Sequence, residues 1–208
     1  MPQFLRYDVP MGYLRTLCIL FSLAAIAAPG LARDGAETNV PVQNLSPQET
    51  RDEMLDRLFA SLHRASNEQA AKATEDKIWE LWSRSDSATA EVLLGQAVAA
   101  MGESENAASL EILDRIVAAY PAYAEAWNKR ATLQFLLGNY DASLSDIEKV
   151  LELEPRHFGA LAGRGMIFER QGKWSEALAA LREALIMNPS MTGVKNAIHD
   201  MEKHERDI

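Results

Sequence analysis

The chain has 208 residues, 48% of them apolar, which is enough for one compact domain with a sizeable core. Its 30 acidic residues outnumber its 21 lysines and arginines, so the formal net charge is −9. This sign is wrong for a broad phosphate-binding surface, and nucleic acid and anionic lipid are therefore not expected partners.

The first 32 residues have the pattern of a secretory signal peptide. Arg15 precedes an apolar run from Leu17 to Ala28, and small residues at Gly30 and Ala32 mark a cleavage site. The run is twelve residues long, whereas a membrane-spanning helix takes about 20. We therefore predict export, cleavage near Ala32 and no integral membrane span after signal removal. Met11 begins a better signal than Met1, so the true start is either of the two.

The single cysteine, Cys18, lies inside the apolar run and would be removed with it. The residues just before it lack the small side chains expected ahead of a lipid-modified cysteine, which argues against a lipoprotein anchor. A mature chain without a thiol suits an oxidising compartment, and it excludes structural disulfides and thiol catalysis.

Helical patterns begin after a polar linker at 33–45. The sequence Ser46-Pro47-Gln48-Glu49 predicts a helix start because it combines a capping box with proline at the first helical position. A second box is predicted at Ser66-Asn67-Glu68-Gln69. Apolar stripes at helical spacing follow the two boxes: Leu55, Leu58, Phe59 and Leu62, then Ile78, Trp79 and Trp82. These features predict a helical hairpin over 46–86, and since no segment alternates as strands do, the fold is predicted to be all-α.

One pattern then recurs every 34 residues. The equivalent positions are Pro121, Pro155 and Pro189; Leu113, Ile147 and Leu181; Ser109, Ser143 and Ala177; and Ala97, Ala131 and Gly165. Small residues recur where two helices approach closely, large ones where a core is filled, and proline where the second helix stops. We predict three helix pairs over 87–190, at about 90–121, 124–155 and 158–189, and a capping helix over 191–208.

This order of large, small and proline positions at a period of 34 resembles the tetratricopeptide repeat family. Segments 124–155 and 158–189 match it best, with Gly138 and Gly172 at the turn between helices; in the first unit Ser104 takes that place. The resemblance implies a helical-hairpin solenoid, a right-handed superhelix. The N-terminal hairpin is expected to cap one end, with its tryptophans against the first unit, and the last helix to cap the other.

The resemblance also implies a concave groove that is lined by the first helix of each pair and holds an extended peptide or a helix of a protein partner. Carried over by position, the lining residues are Glu91, Leu94, Val98 and Met101; Glu125, Asn128, Thr132, Phe135 and Leu136; and Gly159, Ala162, Met166, Glu169 and Arg170. The carboxylate clamp of chaperone-binding members is not expected, because most of its places hold Leu94, Val98, Gly159 and Gly163.

Several conspicuous residues have a structural interpretation beside a functional one. Trp79 and Trp82 are able to stack on sugar rings, but aromatic residues on one apolar stripe are typical of a core. Arg130 and Arg164 occupy equivalent places and suggest a cationic ladder for an acidic ligand. Because arginine is rarely buried unpaired, we predict instead that Arg130 pairs with Asp146.

No site chemistry is predicted. The sequence has no glycine-rich phosphate loop, nucleophile elbow or paired-histidine zinc motif, so we expect no enzyme activity and no cofactor. The four histidines lack the spacing of helical metal ligands, and no metal site is expected: His63, His157, His199 and His204.

The exported, three-repeat organisation resembles small periplasmic tetratricopeptide proteins of Gram-negative bacteria. That resemblance implies a soluble periplasmic scaffold that holds an envelope or periplasmic protein and supports assembly or integrity of the cell envelope. The alternatives are a self-associating or peptidoglycan-associated structural protein, and an enzyme whose site is assembled from distant residues.

Overall fold

The computed structural model describes residues 50–206, and the predicted signal peptide and linker lie outside this range. Within residues 50–206 all regular secondary structure is α-helical, and short turns join the helices. This confirms the predicted all-α helical-repeat fold. Their bounds are α1 Arg51–His63, α2 Glu68–Ser83, α3 Ala88–Gly102, α4 Asn106–Ala119, α5 Ala124–Leu136, α6 Tyr140–Leu153, α7 Phe158–Arg170, α8 Trp174–Met187 and α9 Thr192–Arg206. None of these nine helices combines the length and the apolarity that crossing a bilayer needs.

The second helix begins one residue later than its capping box predicts, and the first box is not tested. The box predicted at Ser46 lies outside the described residues. Within them, Thr50 is extended and caps α1, which begins at Arg51. Thr50 forms a complete capping box with Glu53. The cap of α2 is Asn67 rather than Ser66, since the Asn67 side chain accepts a hydrogen bond from the Ala70 N–H. At this second site two capping residues are adjacent, and the sequence pattern selected Ser66 in place of Asn67.

Within each helix pair, the two helices approach closely at the predicted small residues. The Ser109 hydroxyl donates to the Ala97 carbonyl at 2.8 Å, and Ser143 donates to Ala131 at 2.7 Å. In the third pair a Cβ placed on Gly165 would lie 2.7 Å from the Leu181 side chain. The repeated small residues are therefore a steric requirement, and the serines also satisfy their hydroxyl groups inside the core.

The turn between the paired helices has the same conformation three times. Gly138 and Gly172 have φ values of 78° and 72°, and Ser104 has a φ of 63° at the equivalent place. In each turn the backbone N–H of the next residue donates a hydrogen bond of 2.8–2.9 Å to a carbonyl near the end of the preceding helix. In the second unit this bond joins Asn139 N–H to the Gln134 carbonyl. The left-handed region is costly for serine, so the first unit keeps the turn in spite of its side chain.

The solenoid has three connected hydrophobic cores. One lies between α3, α4 and α5, one lies between α5, α6 and α7, and one joins α7 and α8 to the last helix. In α9 the apolar face lies inward as predicted, with Val194 and Met201 buried and Ala197 and Ile198 half-buried. This helix covers the end of the third pair, and exposed polar residues occupy its other face.

The N-terminal hairpin is not where the resemblance implied. It was expected against the first helix pair, but its aromatic core includes Phe158, the first residue of the third pair, and adjoins Met187 and Met191. The prediction that the tryptophans pack on the first unit is wrong. The hairpin instead packs against the N-terminal ends of α5 and α7, so part of the predicted groove is covered.

The close approach at Ala131 gives a test of the repeat assignment. Ala131 is 2% exposed and its carbonyl accepts the Ser143 hydroxyl. Ala131→Leu should lower the free energy of unfolding by about 1–3 kcal/mol through overpacking. Ala142→Leu, an exposed position on the facing helix, is the matched control and should change little. Urea unfolding followed by circular dichroism measures both, and equal stability of the two variants would contradict the assignment.

Candidate functional site

The hairpin divides the predicted concave groove into two halves. Its second helix, α2, lies against the N-terminal ends of α5 and α7, where Tyr123 donates its hydroxyl to the Ser83 carbonyl. We call this region, formed by Glu125, Asn128, Lys129, His157 and Gly159, the covered half. The C-terminal ends of α5 and α7 form the open half.

The covered half contains a seat for one indole ring. A Cβ on Gly159 would lie 2.6 Å from Cη2 of Trp79, closer than real side chains come. The bare Cα of Gly159 is therefore what admits the ring. The ammonium of Lys129 lies 5.4 Å from the centroid of the same ring, within the range of a cation–π contact.

The neighbouring indole, Trp82, lies flat on an imidazole. Its ring centroid is 4.1 Å from that of His157 with an interplanar angle of 13°. Trp82 also packs on Phe158 at 5.0 Å, and its N–H points to the Glu154 carboxylate at 3.4 Å. The core interpretation of the two tryptophans is confirmed, since Trp82 is 1% exposed and Trp79 packs against the same cluster.

A fully buried carboxylate lies beneath these rings. Glu125 is 0% exposed, and its Oε1 lies 2.7 Å from Lys129 Nζ. Its Oε2 accepts a hydrogen bond from Asn128 at 3.2 Å and lies 3.1 Å from His157 Nε2. His157 also caps α7, because its Nδ1 lies 3.1 Å from the Ala160 N–H. A backbone N–H can only donate, so Nδ1 is the acceptor, and the ring proton on Nε2 points at Glu125.

These contacts determine the charge of two buried acids. Burial raises the pKa of Glu125, but the Lys129 ammonium and the hydrogen bond from His157 outweigh it and lower the pKa to about 2. Burial likewise raises the pKa of Glu154, and hydrogen bonds and charge from Arg156 hold it below its ordinary value. Both groups are carboxylates at neutral pH, so each forms an ion pair beneath the aromatic rings, Glu125 with Lys129 and Glu154 with Arg156.

Polar contacts fix the edges of the hairpin. Arg156 pairs with Asp56 of α1 and stacks 4.9 Å from the ring centroid of Phe59. Asn188, at the end of α8, donates to Glu75 of α2 at 3.0 Å. His63 lies 2.8 Å from the Ile186 carbonyl. Contacts from the segments that follow α4, α6 and α8 thus hold the hairpin, with Tyr123 in the first of them.

The open half retains most of the other predicted lining residues. Leu136 is 58% and Met166 is 44% exposed, and Thr132 and Arg170 are exposed beside them on the same two helices. Glu169 is half-buried at the rim. Phe135 was predicted to face a ligand, but it is half-buried and packs on Tyr140 with 5.7 Å between ring centroids. Part of its surface therefore belongs to the core.

Other predicted lining residues are not on an accessible surface. Leu94 is 5% exposed in the core of the first pair, and Ala162 is 7% exposed in that of the third. Glu125 and Asn128 lie in the covered half. These four residues are therefore not part of an accessible groove. Aligning the repeats gives each residue its position in a helix pair, but it does not show which positions the neighbouring helices bury. Glu91, Val98 and Met101 are exposed or half-buried on α3, and Glu91 accepts a hydrogen bond from Ser85 N.

The cationic ladder is not formed. Arg130 makes two hydrogen bonds to Asp146, of 2.8 and 2.6 Å, and a third to Asp114, while Arg164 pairs with Glu183. The predicted pairing of Arg130 with Asp146 is confirmed. Among residues 50–206, no three His, Cys, Asp or Glu side chains come together as a metal site would require.

Sequence reasoning missed His157, Phe158 and Lys129 as members of the site. A signal was present in the repeat alignment itself. The third unit has Phe158 at the position of Ala90 and Ala124 in the first two units. At the next position it has Gly159, where the first two units have Glu91 and Glu125. A large ring followed by a missing side chain indicates that another element inserts there.

Comparison with known proteins gives the same repeat. The tetratricopeptide repeat family model matches residues 94–149 and 129–192. A TPR repeat-containing protein of Rhizobium etli is 40% identical over 174 residues, which cover 84% of each chain. Sperm-associated antigen 1 of Rattus norvegicus is 35% identical over 89 residues, which are 43% of this chain and 10% of that protein.

Solved structures share the fold at low sequence identity. The first TPR of Spaghetti (RPAP3), bound to the HSP90 peptide SRMEEVD, aligns with a TM-score of 0.55 at 19% identity, covering 58% of this chain and 96% of that one. The MamA protein aligns with a TM-score of 0.53 at 15% identity, covering 74% and 84%. These likenesses concern the helical-repeat fold.

The indole seat is tested by two glycine substitutions in α7. Gly159→Ala should lower the free energy of unfolding by about 1–3 kcal/mol, because the new methyl group overlaps Trp79. Gly163→Ala is the control: its Cβ would meet only Ile147 at 3.5 Å, and removing a helical glycine should stabilise by about 0.5–1 kcal/mol. Chemical unfolding followed by tryptophan fluorescence measures both. A Gly159→Ala protein as stable as the Gly163→Ala protein would contradict the seat.

Proposed function

Because this chain belongs to the tetratricopeptide repeat family, whose helical repeats are scaffolds for protein–protein interaction, we propose that it is an exported, non-enzymatic scaffold. It holds a peptide or helical segment of another envelope protein in the open half of its groove. In this role it supports the assembly or integrity of the cell envelope.

The observation that carries the proposal is the exposure of two large apolar side chains on the first helices of adjacent pairs. Leu136 and Met166 are 58% and 44% exposed at positions that the repeat directs toward the concave side. An apolar patch on a repeat groove is typical of an interaction site, and polar Thr132 and Arg170 beside it supply a rim. A short apolar segment flanked by polar residues matches this surface.

The bound peptide in the Spaghetti (RPAP3) structure supports a peptide ligand in general. It does not support the same ligand here. Two of the places that hold a terminal carboxylate in chaperone-binding members are glycines in this chain, Gly159 and Gly163, and Leu94 is buried. We therefore propose recognition of an internal apolar segment rather than of a chain terminus.

Export and the periplasmic location rest on the sequence alone. The apolar run with its flanking Arg15 and the small residues up to Ala32 supports a cleaved leader, and the absence of cysteine from the remaining chain suits an oxidising compartment. The net charge of −9 supports a protein partner over a polyanion.

Export has a direct test. In a Gram-negative host, intact mass measurement of the protein from the periplasmic fraction should find a chain beginning near Arg33. Replacing Leu20 and Leu23 with Arg, which interrupts the apolar run, should leave the full chain in the cytosol. An unprocessed wild-type chain recovered from the cytosol would contradict the proposal.

The open half is tested by Leu136→Ser together with Met166→Ser. Because both side chains are largely exposed, the melting temperature should change little, while affinity for a protein captured from the periplasmic fraction should fall at least tenfold. Leu153→Ser with Ile186→Ser is the matched control, since these residues are 42% and 63% exposed on second helices outside the groove. Retained affinity in the first variant, or equal loss in both, would contradict the assignment of the site.

A further inference from the structure

The hairpin core meets the solenoid at the buried Phe158 and at the half-buried Met187 and Met191. The buried cluster of the hairpin, which includes Leu55, Ile78 and Trp82, contains a single buried residue from the repeats, Phe158. The three cores of the solenoid contain no residue of α1 or α2. The buried residues of the three solenoid cores therefore all come from the repeats and α9.

The central polar contacts of the covered half are made within the solenoid. Glu125 is held by Lys129, Asn128 and His157, all of which belong to the solenoid. His157 is fixed by its cap on Ala160, and Glu154 is paired with Arg156 at 2.9 Å. If the hairpin leaves, Glu125 keeps its three partners and His157 keeps its cap, so this part of the surface is preorganised for a ligand. Glu154 then loses the Trp82 N–H, and Arg156 loses its contacts with α1, so these two groups are free to bind a replacement.

The hairpin contributes complementary chemistry to that surface. Two indole rings one helical turn apart occupy the space over Gly159 and the face of His157. Two carboxylates flank them, Asp56 on Arg156 and Glu75 on Asn188. The solenoid therefore contributes the cations and hydrogen-bond donors, such as Arg156 and Asn188, and the hairpin contributes the indole rings and the carboxylates.

We propose that the covered half is a second partner-binding site, and that α1 and α2 are its internal ligand. The partner that displaces them is an amphipathic helix with two aromatic side chains one turn apart and flanking carboxylates. This proposal rests on the proposed function, because a displaced hairpin extends the same groove from the open half to the N-terminal ends of α5 and α7. The hairpin then acts as an autoinhibitory cover that favours partners able to replace both indoles.

The first experiment supplies the hairpin in trans. A fluorescein-labelled synthetic peptide of residues 50–83 is titrated into the wild-type protein and into the Trp79→Ala, Trp82→Ala variant, whose own hairpin has lost its rings. Anisotropy should show at least tenfold tighter binding to the variant. Adding Gly159→Leu to that variant fills the empty seat and should return the affinity to the wild-type value. A peptide with both tryptophans replaced by alanine should not bind.

Failure of the peptide to bind the double variant, or equal affinity for all three proteins, would overturn the proposal. If the double variant does not fold, amide hydrogen exchange of the wild-type protein decides. Amides of α1 and α2 should exchange faster than those of α5 to α8, through an opening that leaves the solenoid protected. Equal protection of hairpin and solenoid would overturn the proposal. Leu136→Ser with Met166→Ser should not alter peptide binding, so failure of the open half is a separate result.

Discussion

The contact between the Trp79 indole and the bare Cα of Gly159 fixes the arrangement of the whole groove. With Trp79 in this seat, Trp82 lies on His157 and Phe59 lies on Phe158, so the hairpin docks on the third pair rather than the first. The docked hairpin closes the N-terminal ends of α5 and α7 and leaves their C-terminal ends exposed. One missing side chain thus determines which half of a repeat groove remains available to a partner.

Glu125 shows how the covered half tolerates burial of an acid. An isolated carboxylate away from water is strongly disfavoured, and the chain compensates with an ammonium four residues later and an imidazole from the next pair. Because Lys129 also lies beside Trp79, the same ammonium neutralises the acid and contacts the ring. Charge pairing and aromatic packing are therefore coupled at this point, and neither belongs to the general repeat pattern.

The repeat itself was predictable because its determinants are local and periodic. Small residues at Ala131 and its equivalents, prolines after each second helix and the turn at Gly138 recur every 34 residues, and a 34-residue period leaves few alternatives.

Docking of the hairpin was not predictable in the same way. Its contacts join residues far apart in sequence, 72 between Trp82 and Glu154 and 113 between Glu75 and Asn188, and no period reports them. The departures of Phe158 and Gly159 from the repeat were visible, but their partner was not. The exposure of groove residues was mispredicted for a related reason. Leu94 and Phe135 follow the repeat pattern, but neighbouring helices bury Leu94 and half-bury Phe135.

The most direct test of this account is the position of the Trp79 ring in solution. In a protein labelled with ¹³C and ¹⁵N, nuclear Overhauser contacts from the Trp79 indole should reach the α protons of Gly159 and the ε protons of Lys129, as their contacts in the folded chain require. Contacts from the same ring to α3, with none to Gly159, would place the hairpin on the first helix pair and contradict the account.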